Sequence, residues 1–312
     1  MKVAMKFKIK FLNIFVLTFL SIFHGQNILS KIRLMTFHYN RPDFLELQCK
    51  CLNKFLKERD EYELIVFNDA IDTQLKQEIE AMCSKYRAIC INYPQELHGQ
   101  GLLIEKIKRW GYDPTSGSTR HCQLVEYALV NFGYNHDDII GIFEGDVFLT
   151  RNFSIREALK DKDIISAVQT DRDGLRIEFL WIGLCFINIK NLPHKETLCF
   201  DLHFHNDKIF LDSGGSTYYY LNNNPTVIVK KYYRLPIASL PRNDKEKLEA
   251  LGFNQEEVCF LQNMSSHQEE SAFVSLEFHF DKHFLHFSFS RYNGSTDQKS
   301  KACKTFLTKI LE

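Results

Sequence analysis

The segment IIGIFEGDVFL, residues 139–149, places Glu144 and Asp146 on either side of Gly145 inside an otherwise apolar run. Side chains alternate across a strand, so two acids two residues apart at a strand end face the same way. Two like charges in an apolar run are costly without a cation to hold them. A hard divalent ion, Mg²⁺ or Mn²⁺, suits a pair of carboxylates. The same three residues also suit a β-turn with both acids in water. Asp69 closes a second apolar run, YELIVFNDA. Asp212 precedes Gly214 and Gly215 at a sharp strand-to-loop turn, as a proton acceptor or a turn former. Arg120 and His121 stand at a predicted helix start, where a cation and free N–H groups favour anions or where the first turn is simply solvated. His286, late in the apolar run HFLHFSF, reads as a further metal ligand or as a hydrogen-bonded core histidine, with His279 and His283 as substitutes.

Alternating strands and helices must position these groups. IRLMTFHY (32–39) reads as a strand, and Pro42 then opens a helix with apolar residues at 44, 45, 47, 51, 52, 55 and 56. YELIVFNDA (62–70) is a second strand, TQLKQEIEAMCSKY (73–86) a helix, and RAICINYP (87–94) a third strand stopped by Pro94. The stretch from His98 to Thr119 is too irregular to assign and reads as a loop. Residues 120–133 form another helix ending at Gly133, and the Glu144 strand follows. FLWIGLCFINI (179–189), DKIFLDSGGSTYYYL (207–221), TVIVKKYY (226–233) and HFLHFSFSR (283–291) read as further strands and short helices continuing the same sheet. Trp181 is available to stack on a ligand or to pack in the core. This alternation means an α/β domain with a mostly parallel sheet, whose ligands sit at the C-terminal strand ends. Asp69 and the Glu144/Asp146 pair both fall on that edge.

With 39 basic and 39 acidic residues the chain is not built to coat nucleic acid. Lys2, Lys6, Lys8 and Lys10 precede an apolar stretch from Phe11 to Phe23, the layout of a secretory signal without an Ala-x-Ala cleavage pattern. Residues 1–30 therefore read as a signal peptide or an uncleaved signal anchor. This leaves exported, membrane-anchored and cytoplasm-facing placements open. Residues 31–312 read as one domain. The nine cysteines show no paired C-x-x-C spacing, so zinc ribbons are not indicated, although Cys83 and Cys90 could pair.

Taken together, these motifs resemble the GT-A-type glycosyltransferases, Rossmann-like enzymes that use nucleotide-diphospho-sugars. MTFHYNRP and VFNDA look like that family's nucleotide-binding edge, SGSTRHCQLVEYAL like the helix before its metal motif, EGD like its DxD motif, and LDSGGSTYYYL like its acceptor-side segment. Glu144 departs from the usual first Asp, so Asp146 carries more of the match. The resemblance implies that Glu144, Asp146 and His286 bind Mn²⁺ or Mg²⁺. It further implies that Asp69 touches base or ribose, that Arg120 or His121 lies near the diphosphate, and that Asp212 is the general base or positions the donor sugar. The implied reaction moves a sugar from a UDP- or GDP-sugar to a glycan, lipid or protein hydroxyl. A metal-dependent nucleotidyltransferase or phosphodiesterase is one rival, although no G-x-x-x-x-G-K-[ST] or G-x-G-x-x-G loop is present. A non-catalytic sugar-nucleotide-binding protein is the other.

Overall fold

The computed structural model describes residues 31–100, 102–171, 174, 176–206, 209–265, 276–287 and 295–312. The basic and apolar stretch 1–30 and the end of the HFLHFSFSR run, residues 288–291, lie outside the described residues. Strands β1 (Ile32–His38), β2 (Tyr62–Asn68) and β3 (Ile89–Asn92) are joined by helices α1 (Pro42–Phe55) and α2 (Thr73–Tyr86). Pro42 sits in the first turn of α1, where its missing N–H costs nothing. Asp72 caps α2 by accepting the Leu75 N–H. Helices α3 (Leu102–Arg109) and α4 (Gly117–Ala128) precede β4 (Ile139–Glu144) and β5 (Val147–Leu149). Next come α5 (Ile155–Ala158), β6 (Ile164–Thr170), β7 (Glu178–Asn188), β8 (His203–His205), β9 (Ile209–Leu211) and α6 (Thr217–Asn223). The remainder is β10 (Val229–Tyr232), β11 (Leu235–Pro236), α7 (Lys245–Ala250), α8 (Gln255–Ser265), β12 (Leu276–His279), β13 (Phe284–Phe287) and α9 (Ser295–Leu311).

The main sheet has seven strands in the order β10-β6-β7-β4-β1-β2-β3. Only β7 runs antiparallel to its neighbours β4 and β6; the other pairings are parallel. This is the Rossmann-like, mostly parallel α/β architecture expected from the alternation. Central strands covered on both faces need continuous apolar sequence, and β4 is buried from Ile139 to Phe143. The chain winds outward from β1 to β3 and then returns to the opposite flank of β1 as β4. That reversal opens a crevice between the C-terminal ends of β1 and β4, the place where such sheets receive ligands.

Three expectations change. The run DKIFLDSGGSTYYYL does not continue the main sheet: β9 pairs with β8 in a separate two-stranded sheet, and the TYYYL part opens α6. The loop expected between His98 and Thr119 contains α3, because Leu103, Ile104 and Ile107 recur at helical spacing and are buried. The run HFLHFSFSR does not continue the main sheet. Its described part, β13, belongs to a second, antiparallel sheet of order β11-β12-β13-β5. Strands apolar on both faces carry no mark of which sheet they join. Rings settle it: Phe148 packs edge-on against Phe44 of α1 at 5.4 Å and against Phe287 of β13 at 5.3 Å. Each such pair contributes about 0.5–1.5 kcal/mol beyond area burial, tying the small sheet to α1. All nine cysteines are free thiols. No helix among the described residues is long and apolar enough to cross a membrane.

Candidate metal centre

The Glu144-Gly145-Asp146 turn is the corner where the chain leaves the main sheet for the small one. Glu144 ends β4, and Val147 begins β5. Gly145 is required by close approach rather than by a left-handed backbone. Its N–H donates to Phe37 O at 3.1 Å, and a Cβ there would lie 2.5 Å from that oxygen and 2.8 Å from His38 Nδ1. From the other side Gln48 of α1, buried on the helix's apolar face, donates its amide to Glu144 O at 3.0 Å and Val147 O at 2.9 Å. Gln48 Oε1 accepts from Thr36 Oγ1 at 2.8 Å and lies 3.1 Å from His38 Nε2. Burial lowers the His38 imidazole to about 4 despite that amide, so the network is neutral. Gln48 was missed in the sequence. The available signal was a polar residue at i+4 from Phe44 and i−4 from Leu52, on an otherwise apolar stripe.

Strand β13 delivers the third group. His286 pairs with Val147 across the small sheet, and the next residue's N–H, Phe287, donates to Asp146 O at 3.0 Å. His286 Nε2 consequently stands 3.4 Å from Glu144 Oε2 and 3.7 Å from Asp146 Oδ1. Burial alone would lower this imidazole, but Asp146, Glu144 and Glu277 surround it and hold it up at about 10. Burial works to raise Glu144, and His286 and His121 outweigh it, leaving Glu144 below its ordinary value. His121 Nε2 lies 3.5 Å from the other oxygen of Glu144, and there burial wins and lowers the ring. Neither ring nitrogen of His286, nor Nε2 of His121, has a hydrogen-bond partner. Buried polar atoms are rarely left so, and a ligand is one of the few reasons. Glu144, Asp146 and His286 each offer one atom, all within 4.8 Å of one another. The donor set fits a divalent ion, and its imidazole favours Mn²⁺ over the harder Mg²⁺.

A second polar cluster lies on the same edge. Asp69, 4% exposed just past β2, accepts from Gln95 Nε2 at 2.7 Å and Arg120 Nη2 at 2.8 Å, with His98 Nε2 at 2.7 Å. Its carboxylate is held low, since these partners overcome the burial that would raise it. Both oxygens are thus occupied. Asp69 anchors the 95–98 turn and the start of α4 instead of standing open to a ribose. Arg120 lies beside it with its guanidinium carbon 5.4 Å from the Tyr39 ring centre. His121, on the neighbouring position of α4, turns toward Glu144 rather than outward to an anion. Ser116 starts α4 by accepting the Thr119 N–H at 3.2 Å.

Asp212 follows β9 and accepts from the Ser213 N–H at 2.8 Å. The Gly pair behind it is steric: a Cβ on Gly214 (φ +94°) would meet Leu180 O at 2.1 Å. The segment therefore lies against β7, whose next residue is Trp181. That tryptophan stacks on His279 at 4.8 Å and tilts over His286 at 4.7 Å. Gly183, two residues on and on the same face, is where the indole lies, since a Cβ there would sit 2.1 Å from the ring. Trp181 thus braces histidines. His283, one of the substitutes for His286, packs on Phe153 at 5.3 Å outside the cluster. The structure brings Glu144, Asp146, His286 and His121 together and sets Asp69 and Arg120 in a separate, self-paired cluster.

No protein-family model and no curated protein matches the sequence. Among solved structures the chain is similar to core-mannan synthase A from Aspergillus fumigatus in its Mn/GDP form, with 12% identity and a TM-score of 0.36 over 51% of this chain and 60% of that one. It is similar also to the mannosyltransferase Ktr4p from S. cerevisiae, with 10% identity and a TM-score of 0.40 over 55% and 61%. A cytidylyltransferase from Leptospira borgpetersenii matches with 11% identity and a TM-score of 0.33 over 65% and 76%. The chain thus spans about three fifths of the length of the two sugar-transfer enzymes. Identities and scores this low carry no argument about activity.

Proposed function

We propose that residues 31–312 form a metal-dependent glycosyltransferase domain that moves a sugar from a UDP- or GDP-sugar to a hydroxyl acceptor. The observation that carries this reading is the convergence of Glu144, Asp146 and the buried His286, whose ring nitrogens make no hydrogen bond, at the crevice between β1 and β4. Glu144, Asp146 and His286 would hold Mn²⁺, which supplies neutralisation of the charge that develops on a departing diphosphate. The chain's own residues do the rest. Gln48 and Phe37 fix the backbone of the turn, so both carboxylates are oriented before any ligand arrives. Asp69 clamps Arg120 through one nitrogen, which leaves the rest of that guanidinium to meet a phosphate. Asp212, at the start of the loop packed on β7, is the candidate to take the acceptor's proton.

The test is a donor screen with the full chain, measuring UDP or GDP release from nucleotide sugars in Mn²⁺ and in EDTA. Metal-dependent release that disappears in Asp146→Ala supports the reading. Pyrophosphate release from nucleoside triphosphates with no sugar transfer would replace it with a nucleotidyltransferase. Binding of a nucleotide sugar with no turnover of any donor would leave a binding protein on the same fold.

A further inference from the structure

The small sheet holds two further metal-type ligands, Glu277 and His279, that the proposed reaction does not use. Antiparallel pairing sets Glu277 of β12 directly opposite His286 of β13, and His279 is on the same face as Glu277, two residues along. Arg234 occupies Glu277 Oε1 at 3.2 Å. The other oxygen, Oε2, is left between two imidazoles, 3.5 Å from His279 Nε2 and 3.9 Å from His286 Nδ1. His279 is 2% exposed, and neither of its ring nitrogens has a hydrogen-bond partner. Buried polar atoms are rarely left without a hydrogen bond, so a ring with two of them points to something that binds there. Trp181 stacks on one ring and tilts over the other, which fixes both in place.

We propose that Glu277, His279 and His286 form a second cation site, fitted to Zn²⁺, that competes with the Glu144/Asp146 pair for His286. The three donor atoms lie within 4.8 Å of one another. Tetrahedral ligands about 2.1 Å from zinc stand about 3.4 Å apart, so a small inward movement closes the set around an ion with a fourth position open to water. Two imidazoles and one carboxylate suit a borderline ion such as Zn²⁺ better than Mg²⁺. Competition follows from the ring itself. His286 presents Nε2 to Glu144 and Asp146 and Nδ1 to Glu277, and a neutral imidazole has one lone pair in the ring plane to give. Zinc at Nδ1 therefore removes the third ligand from the Glu144/Asp146 side. The site stands on its own donors and survives even if the glycosyltransferase reading fails; only the competition depends on it.

The experiment measures Zn²⁺ affinity of the full chain by chelator competition and the bound stoichiometry by elemental analysis. It compares the unmodified chain, the Glu144→Ala/Asp146→Ala pair, and His279→Ala. The paired variant keeps one tightly bound Zn²⁺, His279→Ala weakens that site about a hundredfold, and Zn²⁺ loading weakens Mn²⁺ binding about tenfold in the unmodified chain. Loss of Zn²⁺ in the paired variant, or unchanged affinity in His279→Ala, overturns the site. If His279→Ala fails to fold, His279→Gln keeps the volume, and quenching of Trp181 fluorescence by Co²⁺ reports the same position. Failure to bind Mn²⁺ while the paired variant still holds Zn²⁺ counts against the proposed reaction alone.

Discussion

Two polar clusters share one edge of the main sheet, and they are finished to different degrees. Around Asp69 both carboxylate oxygens are occupied by hydrogen bonds of 2.7–2.8 Å. Around His286, by contrast, three carboxylates face two buried imidazoles whose nitrogens lack hydrogen-bond partners. A cluster that satisfies itself contributes to the fold, while one left unsatisfied is poised for something else. The difference assigns roles that residue types alone do not, since both clusters contain acids, histidines and apolar neighbours.

Cutting one acid from each cluster should separate those roles most clearly. Asp146→Ala is expected to lower metal-dependent donor turnover at least about a thousandfold, about 4 kcal/mol of barrier, while its lost pairing with His286 costs only about 1 kcal/mol of stability. Asp69→Ala should weigh far more on stability. It strands Arg120, Gln95 and His98 and costs on the order of 3 kcal/mol, with activity falling as a consequence of the displaced 95–98 turn. Equal loss of stability in both variants would erase the distinction between the clusters.

The clusters should also respond to pH in opposite directions. Asp69 is held below its unfolded value, so the stability it lends is present at neutral pH and is lost as acid protonates it. His286 is held at about 10, above the ordinary imidazole value, so its contribution is complete below about pH 6.5 and is lost as pH climbs from there toward 10. One pKa unit is worth about 1.4 kcal/mol, and the three neighbouring acids share the same interaction, so the alkaline loss is on the order of 2–3 kcal/mol. Melting temperatures at pH 6.5 and 9 should therefore diverge without metal and converge with Mn²⁺, since the ion replaces the proton. His286→Ala should flatten the alkaline limb and leave the acid limb intact.

The turn backbone that both clusters flank supplies a smaller effect. Gly145→Ala drives a Cβ against Phe37 O and His38, and neither β1 nor the Gln48 network can retreat freely. A cost of about 1–3 kcal/mol is expected, with Mn²⁺ affinity reduced as the two acids swing out of line. An Ala variant as stable as the parent would mean that the turn is soft and its acids are not preset.

Much of this was legible beforehand, for reasons that can be traced residue by residue. Local runs with clear period, such as 32–39, 44–56 and 62–70, gave the parallel half of the sheet and so the edge that carries Asp69 and Glu144. The Glu144/Asp146 pair could be read because its two-residue spacing has meaning on any strand. Register was not legible. That His286 would reach those acids depends on β13 pairing with β5, which is a long-range contact, and Glu277 was invisible because LEFH is too short to announce a strand. Nor could the sequence say that Asp69 would be consumed by Gln95 and His98, which sit in an irregular turn. Gln48 shows the intermediate case: a helical-period rule flags it, but only its partners explain it.

The hairpin that presents His286 carries more backbone strain than the Asp69 side. Phe280, Asp281 and Lys282, between β12 and β13, all have left-handed backbones, with φ of 49°, 53° and 70°. Beside the other cluster a single left-handed residue, Asn40 (φ 53°), accepts the Ile71 N–H on its side-chain oxygen at 3.2 Å, and asparagine tolerates that backbone. Each left-handed non-glycine residue costs about 1–2 kcal/mol, and the turn persists because Phe280 is fully buried, stacked on Tyr232 at 4.1 Å. Asp281, at the exposed centre, is where relief is available. Asp281→Gly removes the clash but gives the unfolded chain more freedom, worth about 0.5–1 kcal/mol, so a net gain of about 0.5 kcal/mol is expected. Mn²⁺ affinity should stay within about twofold, because Phe280 and the β12–β13 pairing, rather than the turn's strain, hold His286 in register. A stabilised variant that binds metal several-fold more weakly would show that the strained turn is what aims the histidine.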